Sequence, residues 1–372
     1  MRMSVQRLKE LFFKGSLGLT IISVFLGFLV GALVLLVAGF NPVEAYWAIL
    51  KGIFSKPKYM AYVIIYSTPL IITGLSVAFA LRTGLFNIGA EGQYVVGAIV
   101  AATAGYFFHL PMGLHIIVCI LLAAFAAALW GGIAGLIKAK FGVHEVISTI
   151  MLNWIAFYLS NWTITLKAFG KQGTGKSFII QETARIDLFG QWKITEPGLE
   201  FIRSHPFLGD ILKTPVNIGI IIAILLAILM WYTLNKTTLG YELRAVGYNP
   251  HAAEYGGINV KKSIITSMFI SGGLAGTAGA LQVMGVSHRI AKLAVMEGYG
   301  FDGIAVSLIG NNTGAGSVLG GMLFGALKYG GSKIQDAINA PTEVINIMVG
   351  TIILFIAMPS LIRLLLEFKK DK

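Results

Sequence analysis

Residues 92–137 have the sequence GQYVVGAIVAATAGYFFHLPMGLHIIVCILLAAFAAALWGGIAGLI, without a single Asp, Glu, Lys or Arg. Roughly 20 apolar residues are needed to cross the hydrocarbon core of a bilayer as a helix. This stretch is long enough to cross twice, and His109-Leu110-Pro111 interrupts it near its middle. It therefore predicts two membrane helices joined by a short turn.

Similar uncharged runs occur along the rest of the chain. Those that suit one crossing are 17–40, 59–81, 146–166, 214–235, 263–288 and 344–362. The stretch 298–333 is too long for one span, and Asn311-Asn312-Thr313-Gly314 interrupts it, so we expect two short or broken helices there. The predicted fold is an all-α polytopic membrane bundle with about ten membrane segments. The first run is too long for a signal peptide and predicts an uncleaved span.

The composition agrees with a membrane protein. Of the 372 residues 56% are hydrophobic and 12% charged, and the mean hydropathy is +0.78. Soluble domains carry about a quarter charged residues. The net charge of +12 comes from Lys and Arg scattered between apolar runs, which favours an anionic membrane surface and argues against nucleic acid. Cys119 is the single cysteine, so an internal disulfide is excluded.

Basic residues set the predicted orientation, because they are enriched in cytoplasmic loops. Alternation from a cytoplasmic N-terminus places most of them inside, including the C-terminal tail. We expect one membrane domain over 1–372. Its parts are the N-terminal tail, first span and outside loop (1–58), a first half (59–166), an extracytoplasmic loop (167–213), a cytoplasmic loop (236–262) and a second half (263–372). The two halves have similar lengths, which suggests structural repeats.

Glycines occur four residues apart in several predicted spans. Small residues at this spacing let membrane helices approach closely. The pairs are Gly27/Gly31, Gly131/Gly135, Gly272/Gly276, Gly316/Gly320 and Gly321/Gly325. They predict a densely packed bundle.

Several polar residues fall at membrane depth. A carboxylate there costs about 2.5–3.5 kcal/mol on insertion scales, so it should face a cavity or a partner. The candidate solute-pathway residues are Asn87, Glu91, Gln93, Asn153 and Asp302. Two alternatives stay open: Glu91 forms a structural ion pair, for instance with Arg82, and Asn153 only joins helices.

Residues 170–177, GKQGTGKS, match the phosphate-binding pattern G-x-x-x-x-G-K-S. That pattern works where it joins a strand to a helix in an α/β domain. Here it lies in the predicted outside loop, so we do not expect nucleotide binding.

The cytoplasmic loop contains signals for a short helix. Asn249 suits the N-cap, Pro250 the first helical position, and Gly256 the end of the helix. Its mixed apolar and charged surface favours docking of another protein, with an ordinary solvated loop as the alternative. The candidate docking residues are Glu242, Arg244, Asn249, Pro250, Ala253, Glu254 and Gly256.

Three of these segments resemble a known family. FNIGAEGQ (86–93), HEVISTIMLNWIA (144–156) and ELRAVGYNPHAAEYGGINV (242–260) are similar to permease subunits of bacterial ABC importers. The superfamily is that of ribose and branched-chain amino-acid permeases, and the resemblance is to its nucleoside, basic membrane protein-dependent branch. The outside loop 167–213 matches no motif of that family.

The resemblance implies a subunit without catalytic chemistry in a bacterial plasma (inner) membrane. It implies alternating access powered by separate ABC ATPases that seat on the 242–258 helix. It also implies a second related permease subunit, identical or different, and an extracytoplasmic solute-binding lipoprotein. The chain itself would bind no cofactor, and ATP would be used by its partners.

Other functions remain as alternatives. An ion-coupled secondary transporter would bury more ionisable groups and would have no use for an ATPase docking loop. A membrane-embedded enzyme would need paired catalytic groups such as H-E-x-x-H or G-x-S-x-G, which the sequence lacks. An ABC permease for a sugar or a flavin also fits the residues.

Overall fold

The computed structural model of the chain describes residues 16–357. They are predominantly helical and divide into two compact units, one of residues 56–325 and one formed by the segments on either side of it. The predicted tails before residue 16 and after residue 357 lie outside the described residues.

The larger unit begins with four long helices. These are α3 (Pro57–Leu81), α4 (Ala90–Phe107), α5 (Leu114–Phe141) and α6 (Glu145–Thr163). After a loop with a small hairpin, β1 (Gly170–Lys171) and β2 (Lys176–Ser177), come α7 (Glu196–Ser204) and α8 (Pro206–Leu212). The rest comprises α9 (Gly219–Lys236), α10 (Thr238–Tyr248), α11 (Pro250–Tyr255), α12 (Val260–Gln282), a π-helical turn (Val283–Ser287), α13 (Tyr299–Ile309) and the start of α14 (Gly314–Ile338).

The smaller unit contains α1 (Ser16–Val37), α2 (Pro42–Phe54), the end of α14 and α15 (Thr342–Ala357). In it α1 packs closely on α15, because a Cβ atom on Gly27 would lie 2.8 Å from the carbonyl oxygen of Ile352.

The predicted breaks lie where the sequence placed them. α4 ends at Phe107 and α5 begins at Leu114, on either side of His109-Leu110-Pro111. The stretch 298–333 contains α13 and most of α14, separated at Asn311 and Asn312, which both have positive φ. Both breaks are confirmed.

The segment before residue 58 that was predicted as an outside loop contains a helix, α2, which was not predicted. Asn41 accepts a hydrogen bond from the Val43 amide, and Pro42 occupies the first helical turn, so α2 starts immediately after α1. The two helices meet at a bend of 120°.

Four helices of the described chain are long and apolar enough to cross a membrane on their own: α3, α5, α9 and α12 with its π turn. The bent pair α1–α2 would make a fifth. The most apolar part of α3 is 89% buried, whereas the corresponding parts of α5 and α9 are only 33% and 28% buried. Exposed leucines and isoleucines on α5 and α9 therefore suit contact with lipid.

Helix α12 lies at the centre of the larger unit and packs against α5, α4 and α3. Glycine allows this approach: an added Cβ on Gly272 would lie 2.4 Å from the Ala127 carbonyl, and one on Gly97 would lie 2.1 Å from the Gly276 carbonyl. Every glycine of the five predicted pairs would bring an added Cβ to 3.0 Å or closer to another segment. The prediction of glycine-mediated helix packing is confirmed.

Two adjacent glycines of α12 allow a matched test of this packing. Gly272→Ala should lower the thermal stability of the purified protein by several degrees, since overpacking costs roughly 1–3 kcal/mol. Gly273→Ala is the control, because its Cβ would lie 3.3 Å from the nearest atom, the Ala124 carbonyl oxygen. Equal melting temperatures for the two variants would contradict this account.

Candidate functional site

A buried pair of amides joins the segment between α3 and α4, which contains Asn87, to the first turn of α4, which contains Gln93. Asn87 and Gln93 are 0% and 1% exposed. Asn87 Nδ2 donates to Gln93 Oε1 at 2.8 Å, and Gln93 Nε2 donates back to Asn87 Oδ1 at 3.2 Å. Asn87 Nδ2 also lies 2.7 Å from the Ser271 hydroxyl of α12. These bonds attach the non-helical segment between α3 and α4 to the central helix α12.

Glu91, in the first turn of α4, binds the backbone of a second segment at which the helices are interrupted, the one before α13. Its Oε1 accepts the Gly298 amide at 2.8 Å, and its Oε2 accepts the Gly300 amide at 2.7 Å. Gly298 and Gly300 lie where the non-helical segment after the π turn leads into α13. One carboxylate thus joins two broken regions more than 200 residues apart.

Asn153 anchors the same break from α6. Its Oδ1 accepts the Gly92 amide at 2.8 Å, and its Nδ2 donates to the Ile88 carbonyl at 3.0 Å. At the start of α6, Glu145 accepts the Phe86 amide and pairs with Lys138 at 2.6 Å. The helix-joining alternative for Asn153 therefore has direct geometric support.

Arg82 does not form the ion pair suggested for Glu91. Its guanidinium donates to the carbonyl oxygens of Asn312 at 2.8 Å and Asn311 at 3.3 Å. The structural partners of Glu91 are instead backbone amides, which a search for opposite charges in the sequence does not find. Asp302 is half-buried in the first turn of α13, one turn beyond Gly298. The structure thus brings four of the five pathway candidates into one network, with Asp302 beside it.

A small cavity of about 130 Å³, lined by residues of α4, α6, α12 and the segment that leads to Gly298, is here named the inner cavity. Its polar lining residues are Tyr94, Ser160, Gln282, Ser287, Arg289 and Glu297. Tyr94 donates its hydroxyl to Glu297 at 2.9 Å. Sequence reasoning missed these residues; the only signal was that Ser160 and Gln282 are polar residues within apolar runs.

The short helix predicted in the 236–262 loop is present as α11. Asn249 caps it by accepting the His251 and Ala252 amides, Pro250 is its first residue, and it ends before Gly256. Glu254 and Tyr255 are exposed. Glu242 and Arg244 are half-buried on α10, a helix that was not predicted and that Thr237 caps.

Ala253 is a correction to the predicted docking surface. It was expected on the exposed face of α11, but it is only 5% exposed. A short helix must turn at least one small apolar residue towards the protein that supports it. The outward residues on this loop include Tyr241, Tyr248 and Tyr255, the last 97% exposed.

The phosphate-loop lookalike folds as a hairpin. Gly170 pairs with Ser177 and Lys171 with Lys176, while Gly173 and Gly175 adopt positive φ in the turn. No helix starts at Lys176, so the strand–turn–helix geometry that cradles phosphate is missing from this segment.

Apolar helices, two interrupted membrane regions and a polar cavity beside them are the features of a multi-pass membrane transport protein. Residues 59–357 match the model of the family described as branched-chain amino acid transport system, permease component, and the chain belongs to this family. It is therefore a permease component of an ABC transporter and not an enzyme.

Proteins with similar sequences include several ABC transporter permeases. The guanosine ABC transporter permease protein NupP of Bacillus subtilis (strain 168) is 42% identical, covering 95% of this chain and 96% of its own. The nucleoside ABC transporter permease protein NupB of Lactococcus lactis subsp. cremoris (strain MG1363) is 33% identical, covering 94% and 93%. The glucose ABC transporter permease protein TsgB13 of Haloferax volcanii is 29% identical, covering 91% and 86%. No solved structure matches the chain.

Glu91→Gln tests the carboxylate that joins the two breaks. A glutamine offers one acceptor oxygen and places an NH₂ donor against the other backbone amide, so one bond worth roughly 1.5–3 kcal/mol is lost. We expect a lower melting temperature of the purified protein and reduced uptake, with Glu196→Gln in an exposed position as the control.

Because Arg82 is bonded elsewhere, the exchange Arg82→Glu with Glu91→Arg should give no rescue. Recovery of stability by that exchange, or wild-type stability of Glu91→Gln, would disprove the assignment.

Proposed function

We propose that this chain forms half of the translocation pathway of an ATP-driven nucleoside importer. The observation that carries the proposal is the 42% identity with a guanosine ABC transporter permease over nearly the whole length of both chains. The polar network around Glu91 supports it, because broken helices at membrane depth are where transporters expose groups to solutes. On this proposal Asn87, Glu91, Gln93, Asn153 and Asp302 border the pathway and hold its shape.

A sugar is the second candidate solute. The 29% identity with a glucose ABC transporter permease is the observation that favours it. A flavin remains conceivable on the residues alone, and no relative described above supports it.

The working assembly would contain two permease subunits, cytoplasmic ABC ATPases and an extracytoplasmic solute-binding lipoprotein. ATP would bind to the ATPases, and this chain would bind no cofactor. Opening would alternate between the two faces of a bacterial inner membrane. Such a cycle needs a surface that transmits force from the ATPases, and exposed residues on α10 and α11, including Tyr248, Glu254 and Tyr255, offer one.

The proposed orientation has both termini in the cytoplasm and about ten segments that cross or enter the membrane. Two contacts support it, since each joins segments assigned to the same side. Arg82 bonds to Asn311 and Asn312 on the proposed inner side. Ser177 pairs with Ile290 on the proposed outer side. A repeat of the halves 59–166 and 263–372 remains part of this proposal.

Uptake by the complete complex in proteoliposomes tests the function. Labelled guanosine should accumulate only when ATP is enclosed with the ATPases, and ionophores that collapse proton and sodium gradients should leave uptake unchanged. Glucose in excess should not compete. Uptake that follows an ion gradient without ATP would refute the ABC mechanism, and competition by glucose alone would favour the sugar.

The docking surface can be tested by reversing one charge. Glu254→Lys should abolish co-purification of the ATPase with the permease, because like charges brought together at an interface cost several kcal/mol. Glu200→Lys makes the same change at an exposed position of the proposed outer loop and should have no effect. Normal co-purification of both variants would exclude α11 as the docking site.

A further inference from the structure

One wall of the inner cavity is a non-helical segment, residues 288–298, between the π turn and α13. Other segments hold its backbone in place. Ser177 Oγ accepts the Ile290 amide at 3.1 Å, Asn161 Oδ1 accepts the Leu293 amide at 2.8 Å, and Glu91 accepts the Gly298 amide at 2.8 Å. Non-helical backbone in the membrane region is tolerated where it is buried in protein or lines a water-filled cavity. This segment satisfies that condition. Because other segments hold its backbone, its side chains are available to bind a ligand.

Four polar side chains of the inner cavity have no hydrogen-bond or ion-pair partner among the described residues: Ser160, Gln282, Ser287 and Arg289. Ser160 is only 3% exposed, Gln282 and Arg289 are half-buried, and Ser287 is exposed. Leaving buried donors and acceptors unpaired is costly, so such a group of side chains indicates a ligand or water that completes their bonds. Their convergence on one cavity is the mark of a binding site.

The size and lining of the cavity suit one part of a solute and not a whole solute molecule. A volume of about 130 Å³ is well below the roughly 300–1,000 Å³ of sites that enclose a whole drug-sized ligand. It has room for one ring system. Val95, Ala98 and Val283 provide apolar walls for the faces of a flat ring, while the unpaired side chains provide bonds to its edge.

We propose that the inner cavity binds the base of a 6-oxopurine nucleoside, an inference that rests on the proposed nucleoside importer. Arg289 would donate to O6 and N7, the pairing that arginine makes with guanine elsewhere. The Gln282 amide and the Ser160 hydroxyl would bond to the remaining edge. Glu297, positioned by Tyr94, would accept a ring N–H. The ribose would lie outside the cavity, towards the pathway.

Competition experiments with the complete transporter test this assignment. In wild type, guanosine and inosine should compete for labelled guanosine uptake more strongly than adenosine or cytidine. Arg289→Gln should raise the KM for guanosine by roughly tenfold and reduce the preference over adenosine, because a bidentate arginine contact discriminates between bases by about that factor. Lys292→Gln removes the same charge three residues away, at an exposed position outside the cavity, and should change neither value.

A second measurement does not depend on transport rates. Ser160→Cys, made with Cys119→Ala, places a thiol in the cavity, and its reaction with a small thiol reagent can be followed on the purified complex. Guanosine should slow the reaction, and ribose should not. Equal protection by ribose would overturn the base assignment, and so would an absence of protection together with an unchanged guanosine preference in Arg289→Gln.

The two proposals fail in different ways. If wild type shows no ATP-dependent nucleoside uptake, the proposed function is wrong. If wild type takes up guanosine but Arg289→Gln keeps the wild-type order of competitors, the function stands and the base site is wrong. Should Arg289→Gln fail to assemble, protection of the Ser160→Cys thiol decides alone.

Discussion

Backbone amides inside a bilayer have no water to bond to, and this constraint shapes the structure around Glu91. Each unpaired amide in hydrocarbon would cost several kcal/mol. The amides of Gly298 and Gly300 have no helical acceptor at the start of α13, and the Glu91 carboxylate accepts both. The contact needs a glycine, because a Cβ atom on Gly300 would lie 2.1 Å from the Glu91 amide nitrogen. Two charge-assisted hydrogen bonds in turn offset the desolvation cost of burying the carboxylate.

Hydrogen bonds of the same kind connect the interrupted segments to one another. From the hairpin, Ser177 holds Ile290, and from α4, Glu91 holds Gly298. Asn87 then bonds to Ser271, which exchanges hydrogen bonds with Ser76 of α3. The hairpin is therefore linked to the centre of α12 through hydrogen bonds and the short stretches of backbone between them. Coupling between distant parts of a protein can be carried by hydrogen-bond networks of this kind.

What the sequence predicted well was local. The helix ends at His109-Leu110-Pro111 and the capping of α11 by Asn249 depend on residues a few positions apart, so hydropathy and capping rules find them. The partners of Glu91 lie more than 200 residues away and carry no charge, and no local pattern marks them. The inner cavity could not be predicted for a similar reason. Ser160 is more than 100 residues from Gln282 and Arg289 in the sequence, and only the fold brings the three residues to one cavity. Ala253 was misjudged because capping rules fix where a helix starts, not which face it turns inward.

The phosphate-loop lookalike shows why a motif needs its context. In a nucleotide site, glycines let the backbone approach a phosphate and the serine binds the metal. Here Gly173 and Gly175 allow a tight turn, and Ser177 Oγ accepts a backbone amide of the cavity wall. The same residue properties, close backbone approach and a short hydroxyl, thus fix a protein segment instead of a phosphate. Since that segment carries Arg289, the hairpin helps to fix one wall of the inner cavity, and a change in its position would alter the base site proposed there.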